Sequence, residues 1–205
     1  MRLEINPCNP QPRHIERVVT VLRNGGVIAY PTDTYYGIGC DLLNKKAIEK
    51  IYKLKQRDMK QAFSFICSDL KHISEYAKVS NYAYRTMKRL LPGPYTFILE
   101  GSKQVPRMML TKRKTAGIRV PDHAICMALV NALGNPIIST SATLPGEETV
   151  LATADEIDIH LGSLVDIVID GGAVANEPSS IISLIQDTPE IIREGAGDIS
   201  WFLLK

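Results

Sequence analysis

The sequence predicts an α/β domain built on a mixed sheet, and three observations predict it. Short apolar runs alternate at first with amphipathic helical repeats. Toward the end the apolar runs follow one another with little helix between them. Glycine and proline groups, Gly25-Gly26, Pro92-Gly93-Pro94 and Gly134, punctuate the pattern. The chain of 205 residues, 45% hydrophobic and 22% charged, is long enough to bury a core without disulfides or metals. No repeat, low-complexity tract or linker divides it, so a single domain over residues 1–205 is expected.

Each element has its own signal. Ile15, Val18, Val19 and Leu22 recur at helical spacing within 9–24, and Gly25-Gly26 stops that helix. VIAY (27–30) reads as a buried strand running into the turn PTDTYYGIGCD. Residues 44–57 gather Ala47, Ile48, Ile51, Tyr52 and Leu54 on one side of a lysine-rich helix. FSFIC (63–67) is a strand, 69–77 and 80–91 are helices, and YTFILEG (95–101) is a strand. The basic segment SKQVPRMMLTKRKT lacks periodicity and reads as an exposed loop or short helix. GIRV (117–120) is a strand and 123–133 a helix closed by Gly134. IIST (137–140) is the next strand. The helix at 153–161 begins with Thr153 and, three residues on, Glu156, a capping box. VDIVIDGG, SSIISLI and EIIREGAG close the chain as strands.

No apolar run approaches the ~18 residues that span a bilayer, and the N-terminus lacks an apolar signal region, so a cytoplasmic protein is expected. Cys8, Cys40, Cys67 and Cys126 are scattered and read as reduced, mostly buried thiols. The four histidines are equally scattered, and nothing suggests a zinc site. The net charge of +2 hides a division: residues 1–146 carry +12 and residues 147–205 carry −10. That division fits a basic surface for phosphates or nucleic acid, or two packed faces that neutralise each other.

No nucleotide-binding glycine motif, nucleophile elbow or HExxH is present. Five clusters of polar residues stand instead at strand or helix ends, where open α/β sheets bind ligands. In PTDTYYGIGCD, Thr32, Asp33 and Thr34 offer hydroxyls and a carboxylate beside Gly37 and Gly39; an ordinary polar turn is the alternative. Lys55 and Arg57, with Lys60 beyond, suit a phosphate clamp, or simply the dipole of a helix C-terminus. Arg119 lies in an apolar strand and needs an anion, either a substrate carboxylate or a structural acid. Ser139 and Ser141 of STSAT point to one face by strand alternation and suit either a ligand cradle or a polar turn. Arg193 is the one cation between residues 147 and 204, there for a ligand or for an ion pair.

In order, GGVIAYPTDTYYGIGCD, LKQR, LLPGPYTFIL, GIRVP, STSA and PSSIISL resemble the YrdC/YciO family, which includes the threonylcarbamoyl-adenylate synthases. The resemblance runs from about residue 9 to 197. ILEGSKQVPRMML, KRKTAGIRVP and REGAGD are most similar to the YciO branch. It implies an open, twisted YrdC/RibB-like sheet with a basic concave face. It also implies a nucleotidyltransferase reaction. ATP, with Mg²⁺, L-threonine and bicarbonate would give threonylcarbamoyl-adenylate and pyrophosphate, for N6-threonylcarbamoylation of tRNA adenosine. Matched position by position, Lys55, Arg57, Thr115, Ser141 and Arg193 would meet the nucleotide, and Thr32, Arg119, Ser139 and Ser179 the amino acid. The sequence departs from the synthase pattern at Thr143, where STSAN becomes STSAT, and at Asp58, where a proline usually follows the arginine. KQAFSF replaces the family's KPL. Two readings stand side by side: a synthase, and a YciO-type relative that binds double-stranded RNA or tRNA with weak or no synthase activity.

Overall fold

The computed structural model describes residues 1–56, 63–144 and 149–203. The strands are β1 (Arg2–Glu4), β2 (Ile28–Tyr30), β3 (Gly37–Gly39), β4 (Ser64–Ile66), β5 (Ala77–Lys78), β6 (Tyr95–Gly101), β7 (Thr115–Arg119), β8 (Ile137–Ser141), β9 (Ile167–Asp170), β10 (Ser180–Ser183) and β11 (Glu190–Arg193). The helices are α1 (Pro12–Arg23), α2 (Lys45–Leu54), α3 (Leu70–Tyr76), α4 (Asn81–Leu90), α5 (Ala124–Leu133), α6 (Ala154–Leu161) and α7 (Ser200–Leu203). The strands join in the order β1-β9-β2-β3-β8-β4-β7-β6-β10-β11, with β5 beside β6. The sheet is open and mixed: β1 and β2 run parallel to β9, whereas β3 and β4 both run antiparallel to β8.

Alternation along the strands sorts the core into two faces. Ile28, Tyr30, Ile167 and Ile169 pack with Ile15, Val18, Val19 and Leu22 of α1 and with Ile125, Leu129 and Val130 of α5. Ala29, Val168, Phe65, Ile118 and Phe97 pack on the other face with buried residues of α2, α3, α4 and α6. Local chemistry starts the helices as the sequence suggests. The Asn44 side chain accepts from the Ala47 amide at the start of α2, and the Thr153–Glu156 capping box is present on α6. Gly134 ends α5 in the left-handed conformation at φ 79°.

Several predictions are corrected. β3 forms inside the stretch read as a turn, because β2 and β8 pair with it from both sides. β1, β5 and α7 carry too few residues for a periodic signal. The basic segment after β6 is anchored, not merely exposed: Val105 and Met109 are buried around a 3₁₀ turn at Arg107–Met109. The opposed charges meet at one edge, where Arg2 pairs with Asp155 and Asp170. Among the described residues, no helix is long and apolar enough to cross a membrane.

Candidate functional site

A cavity of about 280 Å³ lies where the ends of β6, β7, β8, β10 and β11 meet the turn after β2. Thr32, Thr115, Arg119, Ser139, Ser141, Ser179 and Arg193, dispersed over residues 32–193, all line it. Thr140, in the same hydroxyl run, lines it too, and so do Ser64, Thr96 and Thr111, which sequence reasoning passed over. Among the described residues, ten Ser or Thr and two arginines contribute to the wall, and no Asp, Glu, His or Cys does.

Strand register sets these positions. Gly37 stands opposite Ser141 and Ser64 opposite Ser139, so β8 presents its hydroxyl end between two neighbours. The Ser64 hydroxyl donates to the Ser139 carbonyl at 2.9 Å. Thr96 Oγ1 and Ser179 Oγ are 2.8 Å apart across the β6–β10 junction. Thr111 and Thr115 make a similar pair at 2.7 Å across the turn into β7. Thr32 Oγ1 donates to the Tyr35 carbonyl at 2.6 Å and accepts from the Thr34 amide at 3.1 Å, which folds the turn into a cradle.

The two arginines differ. Arg119 Nη2 donates to Asp33 Oδ1 at 2.7 Å and to Thr34 Oγ1 at 2.9 Å. Asp33 is therefore its structural acid, and both side chains are only 9% exposed. The Nε of Arg119 is buried and has no hydrogen-bond partner, an unmet donor in a cavity wall. Arg193 forks onto the Ser179 carbonyl, from Nε at 3.1 Å and Nη2 at 2.7 Å. It forms no ion pair among the described residues. Burial, and then the charge of Arg119, push its guanidinium below the usual value. An anion in the cavity would relieve both effects.

Lys55, the C-cap of α2, is not part of the wall. Its Nζ donates to the carbonyls of Ser141 at 3.2 Å and Thr143 at 3.0 Å, and to Thr143 Oγ1. The departure at Thr143 thus supplies an acceptor to a lysine and ties α2 to the end of β8. Arg57 and Asp58 lie outside the described residues. Thr143→Val keeps the shape and both carbonyls but removes one charge-assisted bond. It should lower the unfolding free energy by about 1.5–3 kcal/mol, read from the urea midpoint, and Thr143→Ser should restore it. An unchanged midpoint would show that the hydroxyl carries none of the lysine's charge.

Among the described residues, the wall offers hydroxyls but no thiol, amine or imidazole. The thiols of Cys40, Cys67 and Cys126 are elsewhere, and burial pushes each well above the usual thiol range. What the wall offers is charge stabilisation and hydrogen bonding to an anionic, hydroxyl-bearing ligand.

A model of the Sua5/YciO/YrdC domain, described as telomere recombination, matches residues 20–195. The chain belongs to the Sua5/YciO/YrdC family. Within it, the chain is 46% identical over 200 residues to YciO of Escherichia coli, covering 97% of each. The crystal structure of E. coli YciO superposes with a TM-score of 0.93 over 98% of both chains. Threonylcarbamoyl-AMP synthase of Vibrio vulnificus is 31% identical over 89% of this chain and 98% of its own. Sua5 of P. abyssi, solved in complex with L-threonine, superposes with a TM-score of 0.89 at 26% identity, over 95% of this chain and 57% of that one. This Sua5/YciO/YrdC chain is therefore related to the threonylcarbamoyl-AMP synthases, and its open α/β sheet is the one YciO and Sua5 share.

Proposed function

We propose that the cavity is an adenylation site, binding ATP and L-threonine and converting them, with bicarbonate, to threonylcarbamoyl-adenylate and pyrophosphate for tRNA modification. The observation that carries this reading is the wall itself: among the described residues, two arginines and ten hydroxyl residues converge there with no acid. Such a wall suits a carboxylate and a chain of phosphates. Relatives named as threonylcarbamoyl-AMP synthases, and a family structure solved with L-threonine, support the choice of substrate.

Arg119, through its unpartnered Nε, meets the amino-acid carboxylate, with Thr32, Ser139 and Ser179 around it. Arg193, Thr115 and Ser141 face the nucleotide. Lys55 acts there by holding the Ser141–Thr143 backbone in place; Arg57, expected at the nucleotide, lies outside the described residues. Threonine's neutral amine condenses with bicarbonate to give a carbamate, the amine proton leaving with a bicarbonate oxygen as water; a carbamate oxygen then attacks the α-phosphorus of ATP, and the bond from that phosphorus to the bridging oxygen breaks to release pyrophosphate. The contribution of the described residues is position and charge: they line the cavity with hydroxyls and guanidinium groups. No cluster of potential metal ligands occurs among the described residues, so Mg²⁺ would enter on the triphosphate. Pyrophosphate release requiring ATP, L-threonine and bicarbonate together is the expected result. No release with threonine or with any other amino acid would overturn the reading.

A further inference from the structure

A second concavity, about 250 Å³, lies between α4 and α7 and shares no residue with the hydroxyl cavity. Tyr82, Arg85, Thr86, Arg89, Trp201 and Phe202 line it. The Arg89 guanidinium sits 4.5 Å from the Trp201 ring centroid. On the adjoining flank of the same helix, outside the concavity, Lys88 Nζ stands 6.0 Å from the Tyr84 ring. Large aromatic surfaces stay in water here: Trp201 is 56% exposed, Tyr84 45% and Tyr82 38%. α4 carries Arg85, Lys88 and Arg89 and no acid, and none of the three forms an ion pair among the described residues.

An aromatic ring beside an unneutralised cation, present on both flanks of the solvent side of α4, suits a partner that repeats a flat ring and a negative charge. We propose that the α4–α7 face is a docking surface for single-stranded nucleic acid. Bases stack on Trp201 and on Tyr82 or Tyr84, and phosphates meet Arg85, Lys88 and Arg89. Two aromatic–cation pairs argue for a strand over a free nucleotide, which could use only one. A duplex keeps its base faces stacked on each other and leaves the rings uncovered. An acidic peptide would engage the cations and leave three aromatic rings in water. A second copy of this chain would bring cation to cation if it docked by the same face. The proposal is independent of the adenylation reading, because it uses none of that cavity's residues.

Trp201 is the chain's one tryptophan, so its fluorescence reports on this surface alone. Titrating the full chain with unstructured RNA of about 12 nucleotides should quench it saturably, a length within the usual range of roughly 4–16 per site. Affinity should fall with salt at a log–log slope of about −2 if the three cations meet phosphates. AMP and an RNA duplex of the same length should bind at least about 10-fold more weakly. With a labelled oligonucleotide read by anisotropy, Trp201→Ala and Arg85→Ala/Arg89→Ala should each weaken binding about 5- to 100-fold. These positions are at the surface, so an unchanged circular dichroism spectrum should accompany the loss. Absence of quenching overturns the proposal. So does AMP or duplex binding as tight as the single strand, or variants whose anisotropy titration matches the wild type.

Discussion

Arg119→Met is expected to weaken L-threonine binding by about 10- to 100-fold and to destabilise the fold at the same time. On the proposed reading, the binding loss follows from removing a charge-assisted donor to the amino-acid carboxylate, about 1.5–3 kcal/mol. The stability loss follows from Asp33. Its carboxylate is paired to Arg119 at 2.7 Å and almost wholly withdrawn from water. Its other oxygen accepts only the Asp122 amide at 3.1 Å in the described structure. Removing the guanidinium leaves that charge buried and unpaired, which costs about 3–5 kcal/mol. A second variant separates the two effects. Asp33→Asn/Arg119→Gln replaces the ion pair by a neutral hydrogen-bonded pair, so most of the stability should return while threonine binding should not. Calorimetric titration with L-threonine and a urea unfolding curve on the same preparations read both quantities. Wild-type threonine affinity in the double variant would remove Arg119 from the site and leave it a structural residue.

The candidate site was legible wherever a polar residue interrupts an apolar pattern. Arg119 inside GIRV, the hydroxyls that end IIST, and Arg193 among acids all break a local rule, and all three line the cavity. Thr96 breaks none. In YTFILEG a β-branched residue is an ordinary strand former, and only the parallel pairing of β6 with β10 brings its hydroxyl to Ser179. Thr111 was hidden for a different reason: its segment has no periodicity, and its place depends on Met109 anchoring in the core. β3 escaped because propensity speaks against glycine in strands, whereas the closeness of two neighbouring strands demands it. The bonds from Lys55 to the end of β8 escaped because two of them go to backbone carbonyls, which no residue pattern encodes. Strand-end chemistry is thus local and readable, while register and backbone acceptors belong to the tertiary fold.

The same closeness makes Gly39→Ala the most damaging small substitution expected near the site. A Cβ there would stand 2.2 Å from the Ile138 carbonyl oxygen and 2.8 Å from the Tyr30 ring. Neither neighbour can retreat easily. Ile138 O belongs to β8, and Tyr30 is fully buried with its hydroxyl donating to that same oxygen at 3.3 Å. Relief requires β8 to move away from β3, and β8 carries Ser139, Thr140 and Ser141. Overpacking of this kind costs about 3 kcal/mol or more, at the upper end of the usual range. Gly134→Ala is the control. It also replaces a glycine, but a Cβ there meets nothing within 4 Å, and its cost is the left-handed backbone at φ +79°, about 1–2 kcal/mol. The expected result is a clear separation of the two in urea midpoint. ATP and threonine affinity should fall only in Gly39→Ala, because only there does the strain run into the cavity wall. Equal midpoints, or a Gly39→Ala protein that binds both ligands as the wild type does, would mean that β8 adjusts without disturbing its hydroxyl end.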